Sequence, residues 1–233
     1  MADRAADGRR PWLLAIDTAT SQVVVGAGDL SGEAIALTTW AAGHLHGETL
    51  LPSLGRLTGE NNLRRSRIQG VIVGTGPGSF TGLRVGIASA KGIAHALGVP
   101  IVGVSTAEAL ISAASASPDG AAGEVALLLP AGPQDRLLAR GGSVTVVPAG
   151  SEPTLDEGTD LVAVDLAGRA PADAVERGAT AIRGLGAALI RLGAARLGRD
   201  EADDLARLVP EYVTLPRGVA RETGEVAWSR DPR

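Results

Sequence analysis

Several groups of residues in this chain have types that could support chemistry, and their spacing decides between readings. Asp17-Thr18-Ala19-Thr20 places a carboxylate and two hydroxyls at the end of the first apolar segment, a make-up able to hold Mg²⁺ and a phosphate at a turn. Such a site needs a matching glycine-rich acidic turn from the second half. Pro130-Ala131-Gly132 and Asp165-Leu166-Ala167-Gly168 are the nearest stretches, and neither is a good match. Asp17 therefore reads first as a side chain that bonds its own turn, with Asp17, Thr18 and Thr20 kept as a vestigial phosphate site. His44 and His46 stand two apart, a strand spacing, whereas a helical zinc pair needs four. His95 is the one other histidine and there is no Cys, so neither a metal nor another cofactor is expected. Gly78-Ser79-Phe80 breaks the G-x-S-x-G nucleophile pattern, and no catalytic residue emerges. Arg64-Arg65-Ser66-Arg67 is a short basic run, most simply a solvated loop, with contact to a phosphate backbone as the lesser reading.

The stretch Gly74 to Lys91, GTGPGSFTGLRVGIASAK, holds the only Phe (Phe80) and the only Lys (Lys91) of the chain. A composition so poor in both suggests mutational pressure toward Arg, Ala and Gly, and residues that escape it invite a specific explanation. Val71-Ile72-Val73 reads as a buried strand. Gly76, Pro77 and Gly78 then turn the chain, and Ser79 caps a helix that stops near Gly98 and Pro100. The spacing fits neither a P-loop nor a dinucleotide fingerprint. Its backbone amides could hold an anion at the helix N-terminus; the simpler reading is a turn that lets the helix approach its neighbours closely. Leu83, Ile87, Ala90, Ala94 and Leu97 make one apolar stripe of that helix, and Val85, Ser89, Ile93 and Ala96 make another. Arg84, Lys91 and His95 form its polar ridge. A helix so apolar is buried on more than one side, by the second half of the chain or by another chain.

The elements that must position these residues follow from hydrophobic patterning. Trp12–Thr18, Gln22–Ala27 and Ala34–Trp40 read as a three-stranded meander. A helix spans about Glu48 to Gly59, with Pro52 expected in its first turn. Ile101–Val104 is a strand and Thr106–Ala116 a helix. Ser117-Pro118-Asp119-Gly120 marks a boundary. Beyond it, Glu124–Leu129, Arg136–Arg140, Val144–Val147 and Leu161–Val164 are predicted strands, followed by a weak helix at Pro171–Arg177 and a long one at Leu185–Leu197. The halves look like a structural duplication, which makes an α/β protein of two lobes. Residues 1–10 read as a disordered leader, 11–117 as the first lobe, 118–215 as the second, and 216–233 as a loose tail. Apolar residues are 45% of the 233, aromatics 2%, and the net charge is −4, so no global field favours nucleic acid or an anionic membrane. No run approaches the roughly 20 apolar residues of a membrane span, and the start lacks a secretory core. A cytoplasmic protein without disulfides is expected.

LLAIDTAT near the N-terminus, then HGETLLPSLGRL, then GTGPGSFTGLRVGIASAKGIAHALGVPIVGVSTAEAL closely resemble the TsaB (YeaZ) family, in order, over most of residues 12–112. The resemblance implies the two-lobed fold of actin, Hsp70 and sugar kinases (ASKHA, RNase H-like). It also implies a role in bacterial tRNA modification, the placing of a threonylcarbamoyl group on the adenosine beside the anticodon. In that family TsaB is the non-catalytic paralogue. It supports the catalytic subunit TsaD, with the ATPase TsaE joining them; tRNA is met through the complex, and TsaB pairs with itself when alone. Carried over by position, Glu48, Leu50, Leu51 and Leu54 belong to the first helix of the association surface. Phe80, Arg84, Ile87, Lys91 and His95 border the second. The family's Asp-Ala-Arg and Gly-Glu-Val-Tyr at the start of the second lobe are replaced here by Pro130 to Arg136, with a faint echo at Asp135-Arg136. Pro210-Glu211-Tyr212-Val213 fits the family's usual ending. The rival reading is an ATP-dependent enzyme of the same fold, a kinase or carbamoyl-transferring protein; the older metallopeptidase label of relatives predicts a metal that these residues do not ligate.

Overall fold

The computed structural model describes residues 10–42, 46–116 and 123–212, the first three residues of the second segment by backbone alone. His44, the predicted boundary at 117–120, nearly all of the leader and the whole tail lie outside the described residues. Five strands make the first sheet: β1 (Trp12–Asp17), β2 (Gln22–Gly28), β3 (Ala34–Ala41), β4 (Ile68–Gly76) and β5 (Ile101–Ser105), in the order β3-β2-β1-β4-β5. β1 runs antiparallel to β2 and parallel to β4, and β4 parallel to β5. The second sheet contains β6 (Val125–Ala131), β7 (Asp135–Arg140), β8 (Ser143–Val147) and β9 (Asp160–Ala163), in the order β8-β7-β6-β9. It too is an antiparallel meander with a parallel strand beside its first member. The second sheet thus repeats the first, one strand short.

Among the described residues four α-helices cover the sheets: α1 (His46–Glu60), α2 (Phe80–Leu97), α3 (Thr106–Ser115) and α4 (Ala172–Leu197). Alternation along the central strands sends their apolar side chains to opposite faces. Trp12, Leu14, Ile16, Val23, Val25, Val71 and Val73 pack with Leu50, Leu54 and Leu57 of α1 and with Ile87, Ala90 and Ala94 of α2. Leu13, Ala15, Val24, Ile72 and Val102 point the other way, into one core shared with α3, α4 and Leu127, Leu129, Leu137 and Val162 of the second sheet. The two lobes are therefore joined through a common apolar centre, with α3 and α4 between the sheets.

Two helix predictions need correction. Pro171–Arg177 and Leu185–Leu197 are parts of one continuous helix, α4, which spans 26 residues. Its glycines looked like breakers, but they are seats: a Cβ at Gly193 would run into Ile72, and one at Gly186 into Leu37 and Val24. Pro52 lies well inside α1 rather than in its first turn. Pro52 is exposed, and Leu50, Leu54 and Leu57, buried around it, hold the helix to the sheet despite the missing N–H.

After α4 the chain returns along the outer edge of β5 as a strap. The Asp203 amide donates to the Ile101 carbonyl at 2.8 Å, and its carboxylate accepts the Gly103 amide at 2.7 Å. Arg196 binds both Asp203 oxygens at 3.1 Å and also the Gly103 carbonyl. Further on, the Glu211 amide donates to the Thr75 carbonyl, while the Thr75 hydroxyl donates to the Glu211 carboxylate.

Candidate functional site

The β1–β2 turn and the glycine stretch meet. A Cβ placed at Gly74 would overlap the Asp17 carboxylate; at Gly78, the Ala19 carbonyl; at Gly82, the Thr18 carbonyl; and at Gly86, the Thr18 side chain. Glycine recurs every fourth residue here because β4, the turn and the first turns of α2 lie directly on residues 17–19. The Ser79 amide donates to the Ala19 carbonyl at 2.7 Å. The Ser79 hydroxyl caps α2 by accepting the Gly82 amide, and Gly98 closes that helix in the left-handed conformation. Gly76, Pro77, Gly78 and Ser79 are thus the structural turn that the sequence predicts, with a cis bond between Gly76 and Pro77.

The side-chain polar atoms of Asp17, Thr18 and Thr20 are engaged inside the protein. Asp17 is fully buried. It accepts the Ala19 amide at 2.8 Å and the Thr106 hydroxyl at 2.7 Å, and Thr106 in turn accepts the Gly76 amide. Burial pushes the Asp17 carboxyl up to about 6, against the pull of these two hydrogen bonds. The Thr18 hydroxyl donates to the Gly82 carbonyl at 2.7 Å. Thr20 bonds the backbone of Gln22 as both donor and acceptor. At the rim, the Ser21 amide (2.7 Å) and hydroxyl both donate to the Asp165 carboxylate. Asp165 belongs to the second lobe and holds φ +58°, a conformation that Asp tolerates better than most residues. Asp17, Thr18 and Thr20, the predicted vestigial phosphate site, therefore face inward as struts of the turn. No cluster of three or more His, Cys, Asp or Glu side chains with metal-binding geometry occurs among the described residues.

The predicted association residues divide. Leu50 (0% exposed), Leu54 and Ile87 (4%) are core, turned toward the first sheet. That corrects their assignment as surface: a helix lying on a sheet buries the stripe that matches the sheet, and helical spacing alone does not say which stripe that is. Leu51 is 57% exposed and Phe80 37%; Arg84 and His95 are exposed and Lys91 half-buried. The side chain of Glu48 lies outside the described residues. Phe80, Arg84, Lys91 and His95 share one side of α2, along which the strap runs. The only Tyr of the chain, Tyr212, lies against the only Phe, with ring centroids 5.2 Å apart. The Arg84 guanidinium sits 3.8 Å above the Phe80 ring and donates from Nε to the Tyr212 hydroxyl at 3.0 Å. The Lys91 ammonium reaches the Ala206 carbonyl at 3.5 Å. Sequence reasoning missed Thr106, Asp165 as the partner of Ser21, and Tyr212 as the partner of Phe80. Single occurrence was the available signal for Tyr212, as it was for Phe80.

Comparison with known proteins agrees with this architecture. The family model described as "TsaD: tRNA N6-adenosine threonylcarbamoyltransferase" matches residues 40–220. An uncharacterized protein of Mycobacterium tuberculosis is 41% identical over 103 residues, covering 42% of this chain and 47% of that protein. The tRNA threonylcarbamoyladenosine biosynthesis protein TsaB of Haemophilus influenzae is 33% identical over 102 residues, covering 44% of this chain and 42% of that protein. The chain thus spans about half or less of the length of the curated relatives it matches. YeaZ from Pseudomonas aeruginosa shares the fold, with a TM-score of 0.68 at 23% identity over 87% of this chain and 100% of that one. No described helix is long and apolar enough to cross a membrane. With a family model covering well over half its length and the two-lobed YeaZ fold around an internally bonded turn, the chain belongs to the TsaB (YeaZ) group of the tRNA threonylcarbamoyltransferase family.

Proposed function

We propose that this chain is a non-catalytic scaffold subunit for threonylcarbamoylation of the adenosine next to the tRNA anticodon. It pairs with a TsaD-like catalytic subunit, is joined by a TsaE-like ATPase, and forms a homodimer when alone. A cytoplasmic location belongs to the same reading. The observation that carries it is the exposed side of α2, where the Phe80–Tyr212–Arg84 cluster is displayed. Aromatic residues and arginine are the usual anchors of protein interfaces. The engagement of Asp17, Thr18 and Thr20 inside the fold supports a structural rather than chemical role for that turn. The rival ATP-dependent reading needs Mg²⁺-dependent nucleotide binding that Asp17→Ala abolishes, which calorimetry measures directly.

The test is light scattering after size exclusion, on this chain mixed with the TsaD homologue of the same organism. A stable heterodimer is expected, and Leu51→Asp or Phe80→Asp is expected to weaken it at least a hundredfold. Leu51 is largely exposed, so its change should alter fold stability by no more than about 0.5 kcal/mol; Phe80→Asp also loses the Tyr212 and Arg84 contacts and should cost about 1–2 kcal/mol. Leu50→Asp is expected to unfold the chain, since an unpaired charge in the core costs several kcal/mol. Failure to associate at several salt and nucleotide concentrations would refute the scaffold reading.

A further inference from the structure

Residues 56–67 carry four arginines, Arg56, Arg64, Arg65 and Arg67, against the single acid Glu60, in a chain of net charge −4. All four are exposed. None takes part in the ion pairs found among the described residues, whereas Arg136, Arg140, Arg177, Arg196 and Arg199 all do. The backbone that bears them is firmly held. Leu63 and Ile68 are buried on either side, and a 3₁₀ turn spans Arg65–Arg67. The Trp12 indole donates to the Arg64 carbonyl at 2.9 Å, as does the Arg67 amide. Arg64 enters that tight turn in extended backbone and Arg67 closes it. Arg65 lies back along α1, its guanidinium 3.8 Å from where a Cβ on Gly55 would be, next in sequence to Arg56. The patch precedes β4 and adjoins the start of β1, which pairs Trp12 with Ile68. It therefore occupies the end of the sheet opposite Asp17, on the order of 17–20 Å away at strand rise, apart from the β1–β2 turn.

We propose that this patch is an RNA contact surface, on which Arg64, Arg65 and Arg67, with Arg56 beside them, bind backbone phosphates of tRNA. Guanidinium groups pair with phosphate bidentately. A short, rigid, unpaired basic turn carries no code for bases and so positions the nucleic acid rather than reading it. The choice of tRNA rests on the scaffold function proposed above; the polyanion chemistry does not.

The test measures binding of an unmodified tRNA transcript by fluorescence anisotropy between 50 and 200 mM salt. It uses the full chain alone and the chain assembled with its catalytic partner. R64S/R65S/R67S is expected to weaken binding tenfold or more and to lower the slope of log K against log salt by about two to three. R64K/R65K/R67K keeps the charge and should restore the salt slope, with only part of the affinity. R183S/R191S/R207S removes the same charge from exposed sites away from the patch and should change binding less than threefold. Equal loss in the patch and off-patch variants, or none in either, overturns the proposal. So does binding of anionic phosphatidylserine vesicles through these arginines without binding of tRNA. Light scattering on the same samples separates the two readings. Arginine-dependent tRNA binding by a chain that fails to pair with the catalytic subunit sinks the scaffold and keeps the patch; pairing without arginine dependence does the reverse.

Discussion

Between β1 and β2 the chain turns beneath a helix; between β6 and β7, the corresponding place in the second sheet, it turns in solvent. The first turn is closed by short groups: the Asp17 carboxylate, the hydroxyls of Thr18, Thr20 and Thr106, and a row of glycines that brings α2 onto it. In the second, Gly132, Pro133 and Gln134 are exposed. Long side chains do the closing there. Arg169 donates to the carbonyls of Gly132 and Asp135, and the buried Arg136 to those of Arg169 and Ser151. The difference follows from what comes after the parallel strand. β4 leads into α2, which folds back over its own turn. β9 is followed by α4, which packs between the sheets instead. The same strand order is thus closed by burial in one lobe and by reach in the other, and the buried version is the less tolerant of change.

The comparison can be broken most severely at the shared core. Ile190 of α4 lies against β2, in contact range of any Cβ on Gly26 or Gly28. Ile190→Ala should cost about 2–5 kcal/mol, and calorimetry should show both lobes melting in one transition. Two separate transitions would mean that the lobes are independent.

A smaller effect comes from Asp17. Its carboxyl titrates near 3.8 in the unfolded chain and near 6 when folded. The folded state therefore holds the extra proton between those values, and stability falls as pH rises from about 4 to 6. The loss amounts to about 3 kcal/mol and is complete above that window. The hydrogen bonds and cations beside Asp29, Asp173 and Glu201 hold their carboxyls below the usual range, which acts in the opposite sense. The readout is therefore the difference between wild type and Asp17→Asn in urea midpoints at pH 4 and pH 7. A difference that does not change with pH would contradict the burial argument.

Smaller still is the contrast of two glycines. Gly82→Ala forces a methyl into the Thr18 carbonyl and should cost about 1–3 kcal/mol. Gly132→Ala meets no neighbouring atom but holds φ +88°, so its cost should be about 1 kcal/mol, from backbone strain alone. Urea unfolding of both variants orders the two turns directly; a larger loss at Gly132 would reverse the comparison.

Much of this was legible in the sequence. The strands, the Ser79 cap and the Gly98 stop are local signals, set by a few adjacent residues. The unity of α4 was hidden because Gly178, Gly184, Gly186 and Gly193 look like breaks until their neighbours are known. The burial of Leu50 and Ile87 was misread because α1 and α2 each carry more than one apolar stripe, and the sheet chooses among them. The links Thr106–Asp17, Asp165–Ser21 and Tyr212–Phe80 join residues 89 or more apart. Nothing in the spacing of either partner announces them.

The strap along β5 has a consequence for the solution behaviour of the chain. An edge strand with free amides and carbonyls is a template on which another molecule can add a strand. Here the Ile101 carbonyl and both the amide and carbonyl of Gly103 are taken by Asp203 and Arg196. The β5 edge of the first sheet is thereby covered only once the segment around Asp203 has been made. A ribosome-bound or proteolysed product ending before Asp203 would present β5 bare, and is expected to aggregate more readily than the full chain.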